Sequence, residues 1–119
     1  MKILIADDLL DTRKLFALAF HLEGYTTVVA ENGVEAVEAV KQQPFDVLII
    51  DVEMPVMNGL EAIQHIRQLP HGKAVPIILG TAYDYNEATA LQAGANLLVR
   101  KPIMMRDLVD LVKQLHPSA

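Results

Sequence analysis

The feature that most limits this chain's fold is a repeated switch of hydrophobic period. Four short, unbroken apolar runs punctuate the sequence: Ile3-Leu4-Ile5-Ala6, Val47-Leu48-Ile49-Ile50, Ile77-Ile78-Leu79-Gly80 and Leu97-Leu98-Val99. A run without polar alternation reads as a strand buried on both faces, as in a parallel sheet. Thr26 to Ala30 supplies a fifth strand. Between the runs, apolar residues recur at helical spacing. One stripe is Leu15, Leu18, Ala19 and Leu22, closed by Gly24, and a second is Val34, Val37 and Val40, ended before Pro44. A third is Leu60, Ile63 and Ile66, ended before Pro70, and the last is Leu108, Leu111, Val112 and Leu115, stopped by Pro117. A short fourth helix is expected from Asn86 to Ala93, with Gly94 as its stop.

Five alternating strand and helix units require right-handed crossovers and helices on both sheet faces. The expected fold is α/β: a doubly wound five-stranded parallel sheet, strand order 2-1-3-4-5, flavodoxin-like. A length of 119 residues sets one domain, 1–119, as the natural expectation. In such a sheet, ligands sit beyond the carboxyl ends of the strands where the order reverses, between the first and third strands.

Bulk properties exclude several classes. There is no cysteine, so no disulfide framework and no thiol nucleophile. No apolar run approaches the roughly 20 residues of a membrane helix, and the N-terminus opens on a strand-like run without a signal peptide's basic head. Membrane insertion is therefore not expected, and a cytoplasmic location is. A formal net charge of −5 disfavours direct nucleic-acid binding, which needs a basic footprint. No G-x-G-x-x-G or P-loop motif is present, so nucleotide binding is disfavoured.

The strand ends carry the chemistry. The first run leads into Asp7-Asp8, the second into Asp51, the third into Thr81, and the fourth is followed by Arg100, Lys101 and Pro102. In a parallel sheet these ends share one edge. Two carboxylates about 4 Å apart repel by roughly 4 kcal/mol at an effective dielectric of about 20. Convergence of three calls for a raised pKa, a countercharge or a bound cation. Carboxylate oxygens suit a hard ion, and Mg²⁺ is the usual one beside phosphate. A carboxylate can also attack phosphorus to form an acyl phosphate, with Lys101 and the metal opposing the charge and the Thr81 hydroxyl donating to a phosphoryl oxygen. Each residue alone has an ordinary reading. Asp7 or Asp8 caps the first helix (Asp11 and Thr12 lie closer), Asp51 is a loop acid, Thr81 ends a strand, and Lys101 is solvated. All of them at the same end of the strands favour the chemical reading.

These motifs resemble the receiver domains of two-component response regulators, similar to the chemotaxis-type single-domain members. The resemblance covers essentially the whole chain. It rests on Asp7-Asp8, on Asp51-Val52-Glu53-Met54-Pro55-Val56-Met57-Asn58-Gly59, on Thr81-Ala82 and on Lys101-Pro102. It implies that Asp51 accepts a phosphoryl group from a histidine kinase or histidine phosphotransfer protein. It implies Mg²⁺ held by Asp8, Asp51 and the backbone carbonyl of Glu53, with Asp7 acting mainly through a metal-bound water. Thr81 and Lys101 are implied to hold the phosphoryl oxygens, and Lys101-Pro102 to be joined by a cis peptide. Such a module is not an enzyme on other substrates; it catalyses only its own phosphorylation and dephosphorylation. Output goes to a downstream protein or a trimmed effector domain, through a surface near the fourth and fifth strands, with a phosphorylation-dependent dimer as one form.

Three departures from the family pattern bear on the switch. Leu98 stands where the family usually carries tyrosine or phenylalanine, the segment from Thr81 to Gly94 is short, and Gly80 precedes Thr81 where a side chain is expected. A glycine in a strand loosens it or admits close backbone approach. These departures are expected to alter output coupling and leave acceptance intact. Glu53 and Tyr83, each two residues after a site residue, are expected to flank the path of attacking water, or else to be loop surface. His21, His65, His71 and His116 have no ligand spacing and read as surface. Met54, Met57, Met104 and Met105 read as core or rim packing before they read as a partner surface. Two competing functions remain: a phosphorylation-independent pseudo-receiver acting as a constitutive binding module, and a metal-dependent phosphatase or phosphotransferase. Few residues remain for the latter's substrate lid.

Overall fold

A computed structural model describes residues 1–116, so the expected helix stop at Pro117 lies outside the described residues. The elements run β1 (Lys2–Ala6), α1 (Leu10–Leu22), β2 (Thr26–Ala30), α2 (Gly33–Gln42), β3 (Val47–Asp51), α3 (Gly59–Ile66), a 3-10 turn (Pro70–Gly72), β4 (Ile77–Thr81), α4 (Glu87–Ala93), β5 (Leu97–Arg100) and α5 (Met105–Leu115). The sheet is wholly parallel with order β2-β1-β3-β4-β5, as the alternation predicts.

Strand side chains point alternately to opposite faces, and this divides the core in two. Leu4, Leu48, Ile50, Ile77 and Leu79 meet α2, α3 and α4 on one face. Ile3, Ile5, Val47, Ile49 and Ile78 meet α1 and α5 on the other. Fully burying one such side chain contributes about 1.5–3 kcal/mol, so the central strands anchor the molecule.

Helix ends follow local chemistry. Asn58 and Glu61 form a reciprocal capping box at the start of α3. Asn32 caps α2 through the Glu35 amide, and Asn86 caps α4 through the Ala88 amide. Gly94, at φ 116°, closes α4 in the left-handed region. Among the described residues no side chain caps α1, whose N-cap position is Leu9, so neither Asp11 nor Thr12 serves there.

Two stripes depart from the sequence reading. In α1 the buried face is Arg13, Phe16 and Phe20, whereas Leu15, Leu18 and Leu22 are exposed, Leu22 by 74%. The helix carries two apolar stripes, and the sheet takes the one with the larger rings. In α2 the buried residues are Gly33, Ala36 and Val40, and Val34 is exposed. The stripes of α3 and α5 lie as expected, with Ile63, Ile66, Leu108 and Val112 buried and Leu60, Leu111 and Leu115 packed against the core.

Candidate functional site

The carboxyl ends of β1 and β3 are adjacent because the strand order reverses between β2 and β3. That adjacency brings Asp7, one residue past β1, to Asp51 at the end of β3. Asp7, Asp8 and Asp51 each place a carboxylate oxygen within 4.8 Å of the others. Asp7 and Asp51 are buried and Asp8 is exposed. Backbone contacts fix the acids. Arg13, reaching up from α1, donates to the Asp7 carbonyl at 2.7 Å, and the Leu9 amide donates to Asp7 Oδ1 at 2.9 Å. Gly59 lets α3 start directly beneath the end of β3: a Cβ there would lie 2.2 Å from the Asp51 carbonyl oxygen.

Lys101 enters from beyond β5. Its ammonium donates to Asp7 Oδ2 at 2.7 Å and lies 3.3 Å from Asp51 Oδ1. The Lys101-Pro102 peptide is cis, as the resemblance implies. Burial pushes the Asp51 carboxyl up to about 6 from its ordinary 3.8. The Lys101 charge pulls it down, and repulsion from Asp7 and Glu53 adds to the rise. For Lys101, burial works against the charged form, but the hydrogen bond and charge of Asp7 with the charge of Asp51 win, and its pKa is raised. Asp51 Oδ1 is buried and accepts no hydrogen bond among the described residues. A buried carboxylate oxygen that has an ion pair with Lys101 at 3.3 Å and no hydrogen bond still has lone pairs to offer a further cation. Together with two neighbouring acids, that makes the donor set all oxygen and anionic, which fits Mg²⁺.

Thr81 ends β4, buried, one residue beyond Gly80, which pairs with Asp51 in the sheet register. Its hydroxyl donates to Glu53 Oε2 at 2.8 Å, and the Ala82 amide donates to Glu53 Oε1 at 3.1 Å. Glu53 is thus tied across the cleft, which neither sequence reading of it anticipated. The Ala82 N–H was also missed, because a backbone donor has no residue-type signal. Tyr83 is 64% exposed on the loop, as its surface reading holds. Gly80 admits no close backbone approach: a Cβ there would meet only Lys101 Cε at 3.6 Å and Val99 Cγ2 at 3.8 Å. Leu98, half-buried, packs on the face shared with α2, α3 and α4. Asp84 pairs with Arg100 across the loop. Met54 is buried and Met104 exposed.

Fold and cleft define a class: a flavodoxin-like α/β protein with an acidic, lysine-bridged cleft at the topological switch point. The response regulator receiver domain model matches residues 3–113. An uncharacterized 14.6 kDa protein of Leptolyngbya boryana is 39% identical over 116 residues, 96% of this chain and 88% of that one. Other relatives are longer: this chain spans 28% of the regulatory protein AtoC of Escherichia coli. Among solved structures, the receiver domain of sensor histidine kinase PA1611 from Pseudomonas aeruginosa superposes with a TM-score of 0.89 at 28% identity, covering 98% of each chain. That structure holds a magnesium ion in its active site cleft. Response regulator TrrA of Thermotoga maritima, in complex with Mg²⁺-BeF, gives 0.84 at 35% identity over 96% of this chain and 97% of that one. The chain belongs to the response regulator receiver domain family. It is a receiver domain of the two-component signalling type, homologous to receiver domains of histidine kinases.

Proposed function

We propose that residues 1–119 act as one phosphorylation-controlled unit in which Asp51 accepts a phosphoryl group from a histidine kinase or histidine phosphotransfer protein. The observation that carries this reading is the Asp51 carboxylate, buried at the switch point with an oxygen that accepts no hydrogen bond, 3.3 Å from the Lys101 ammonium. Asp7, Asp8 and Asp51, with the Glu53 backbone carbonyl, would hold Mg²⁺. The ion supplies positive charge against the phosphoryl oxygens, which is most of what a loose phosphoryl transfer needs.

The chain's own residues do the rest. A carboxylate oxygen of Asp51 forms the new O–P bond as the donor's P–N bond breaks, and the electron pair leaves on the imidazole nitrogen. Lys101 steadies the charge on Asp51 and on the group it receives. Thr81 offers its hydroxyl proton to a phosphoryl oxygen. No chemistry beyond its own phosphorylation and dephosphorylation belongs to this reading, and it places the protein in the cytoplasm with its donor. Exposed Leu15 of α1, with Leu9 just before the helix, lines a groove of about 370 Å³ together with Phe16, Lys101 and Met105. A donor protein seated there would stand next to the cleft. Output through the α4–β5 side belongs to the same reading.

The test is intact mass after incubation with Mg²⁺ and acetyl phosphate, with Asp51→Asn alongside. A gain of one phosphoryl group, lost in the variant and with chelator, is expected. Absence of any gain, from acetyl phosphate and from phosphorylated histidine donors alike, would leave a constitutive binding module.

A further inference from the structure

The cleft holds a fourth carboxylate that lies outside the Asp7, Asp8 and Asp51 cluster. Glu53 uses both its oxygens: Oε2 takes the Thr81 hydroxyl at 2.8 Å and Oε1 takes the Ala82 amide at 3.1 Å. The Thr81 oxygen in turn accepts the Tyr83 amide at 3.1 Å. One carboxylate therefore fastens two consecutive residues at the exit of β4, and Tyr83 is tied to them through Thr81. Hydrogen bonds to an ionised acceptor are roughly twice as strong as neutral ones.

A hydroxyl has one proton to donate and an amide N–H has one. Both are committed to Glu53. They sit at the end of the strand whose Gly80 pairs with Asp51, on the same sheet edge as the anion that phosphorylation would place on Asp51. Glu53 is near enough that its charge raises the Asp51 pKa. Two anions cannot share two protons at this range without strong repulsion.

We propose that the Glu53 carboxylate is an internal substitute for the phosphoryl group, occupying the Thr81 and Ala82 donors at rest and competing with the anion that arrives on Asp51. The proposal rests on the phosphoacceptor reading. Release of Glu53 loosens the start of the exposed stretch from Ala82 to Asn86, which leads directly into α4 and is held further along by the Asp84–Arg100 pair. The occupancy of Asp51 is thereby transmitted to the loop by exchange of one carboxylate for another anion. The side chain acts as a positioning residue for Thr81, and the height of the switching threshold depends on it.

The test uses Glu53→Ala and the isosteric Glu53→Gln in the full chain. Both keep the Glu53 backbone carbonyl. ¹⁵N-labelled protein is observed first without any ligand. The Ala82 amide proton should move upfield in Glu53→Ala, with a smaller move in Glu53→Gln, whose amide retains one accepting oxygen. Fluoroberyllate is then titrated in the presence of Mg²⁺. Glu53→Ala should bind it on the order of tenfold more tightly than the unaltered protein, from the loss of one or two competing charged hydrogen bonds, with Glu53→Gln between. Equal affinities, or an unmoved Ala82 amide, would overturn the proposal. So would weaker binding by Glu53→Ala, which would make Glu53 an organiser of the donors and not a rival for them. Binding by none of the three proteins would instead remove the phosphoacceptor reading, and this inference with it.

Discussion

The two halves of the sheet around the cleft are built differently. On the β1–β3 side the strands are almost wholly buried, and the acids are held by Arg13, by the Leu9 amide and by the close approach of α3 at Gly59. On the β4–β5 side β4 is buried too, but β5 has only four residues and none is fully buried. Residues 82–89 are exposed throughout, and α4 has seven residues. Elements with little buried apolar surface open at lower free energy than the core. The proposed acceptor thus lies in the rigid half and the proposed response surface in the pliable half, and Lys101 reaches from the second into the first.

The strongest way to break this comparison is to cut that bridge. Lys101→Met leaves Asp7 and Asp51 without the ammonium at 2.7 and 3.3 Å. Removing one partner of a buried pair costs about 3–5 kcal/mol, discounted here because the Lys101 side chain is 22% exposed. Phosphoryl gain from acetyl phosphate should vanish by mass, and the melting temperature at neutral pH should fall. A variant that still gains the group would show that the two halves do not depend on this contact.

Matched deletions come next. Ile50→Ala, in the fully buried centre of β3, should cost about 2–5 kcal/mol in denaturant unfolding, and Leu98→Ala in β5 about 1–2 kcal/mol. Equal losses would erase the contrast. Amide exchange should agree, with the α4 and β5 amides exchanging through smaller openings than those of β1 and β3.

The pH dependence of the metal-free protein is a smaller effect with a definite sign. Asp51 binds its proton more tightly folded than unfolded, since its pKa rises from 3.8 to about 6. Stability from this group is therefore greatest below 3.8, falls as pH rises through the window from 3.8 to about 6, and stays low above it. Asp51→Asn should flatten that part of a melting-temperature profile. At neutral pH, added Mg²⁺ should raise the melting temperature of the unaltered protein by mass action, and of the variant much less. A profile unchanged by the substitution would mean that Asp51 is not desolvated as the fold shows.

The smallest expected effect falls on the pliable side. Gly80→Ala would meet only ordinary contacts, so it should stabilise by about 0.4–1 kcal/mol through the unfolded chain's entropy. Destabilisation beyond 1 kcal/mol would show that the strand end must remain open for Lys101.

Much of this was legible along the chain, and the reason is local. Strand and helix periods differ, so Val47 to Ile50 and Leu108 to Leu115 declare themselves, and parallel connectivity then puts Asp7, Asp8, Asp51, Thr81 and Lys101 at one edge. Gly94 and Asn86 marked the ends of α4 because left-handed backbone and capping select those residue types. The buried face of α1 was not legible. Leu15, Leu18 and Leu22 satisfy the same spacing rule as Phe16 and Phe20, and periodicity cannot rank two stripes on one helix.

By itself, the sequence determined the order of elements, the sheet's parallel sense and the residue types delivered to the cleft. Those follow from periods and from the short reach of connections. Only the tertiary structure decided which α1 stripe meets the sheet, and that Glu53 spends its carboxylate on Thr81 and Ala82. Glu53 and Thr81 are 28 residues apart. Their bond exists because β3 and β4 lie side by side, and a hydrogen bond between side chains depends on distance and direction in space, which no spacing along the chain encodes.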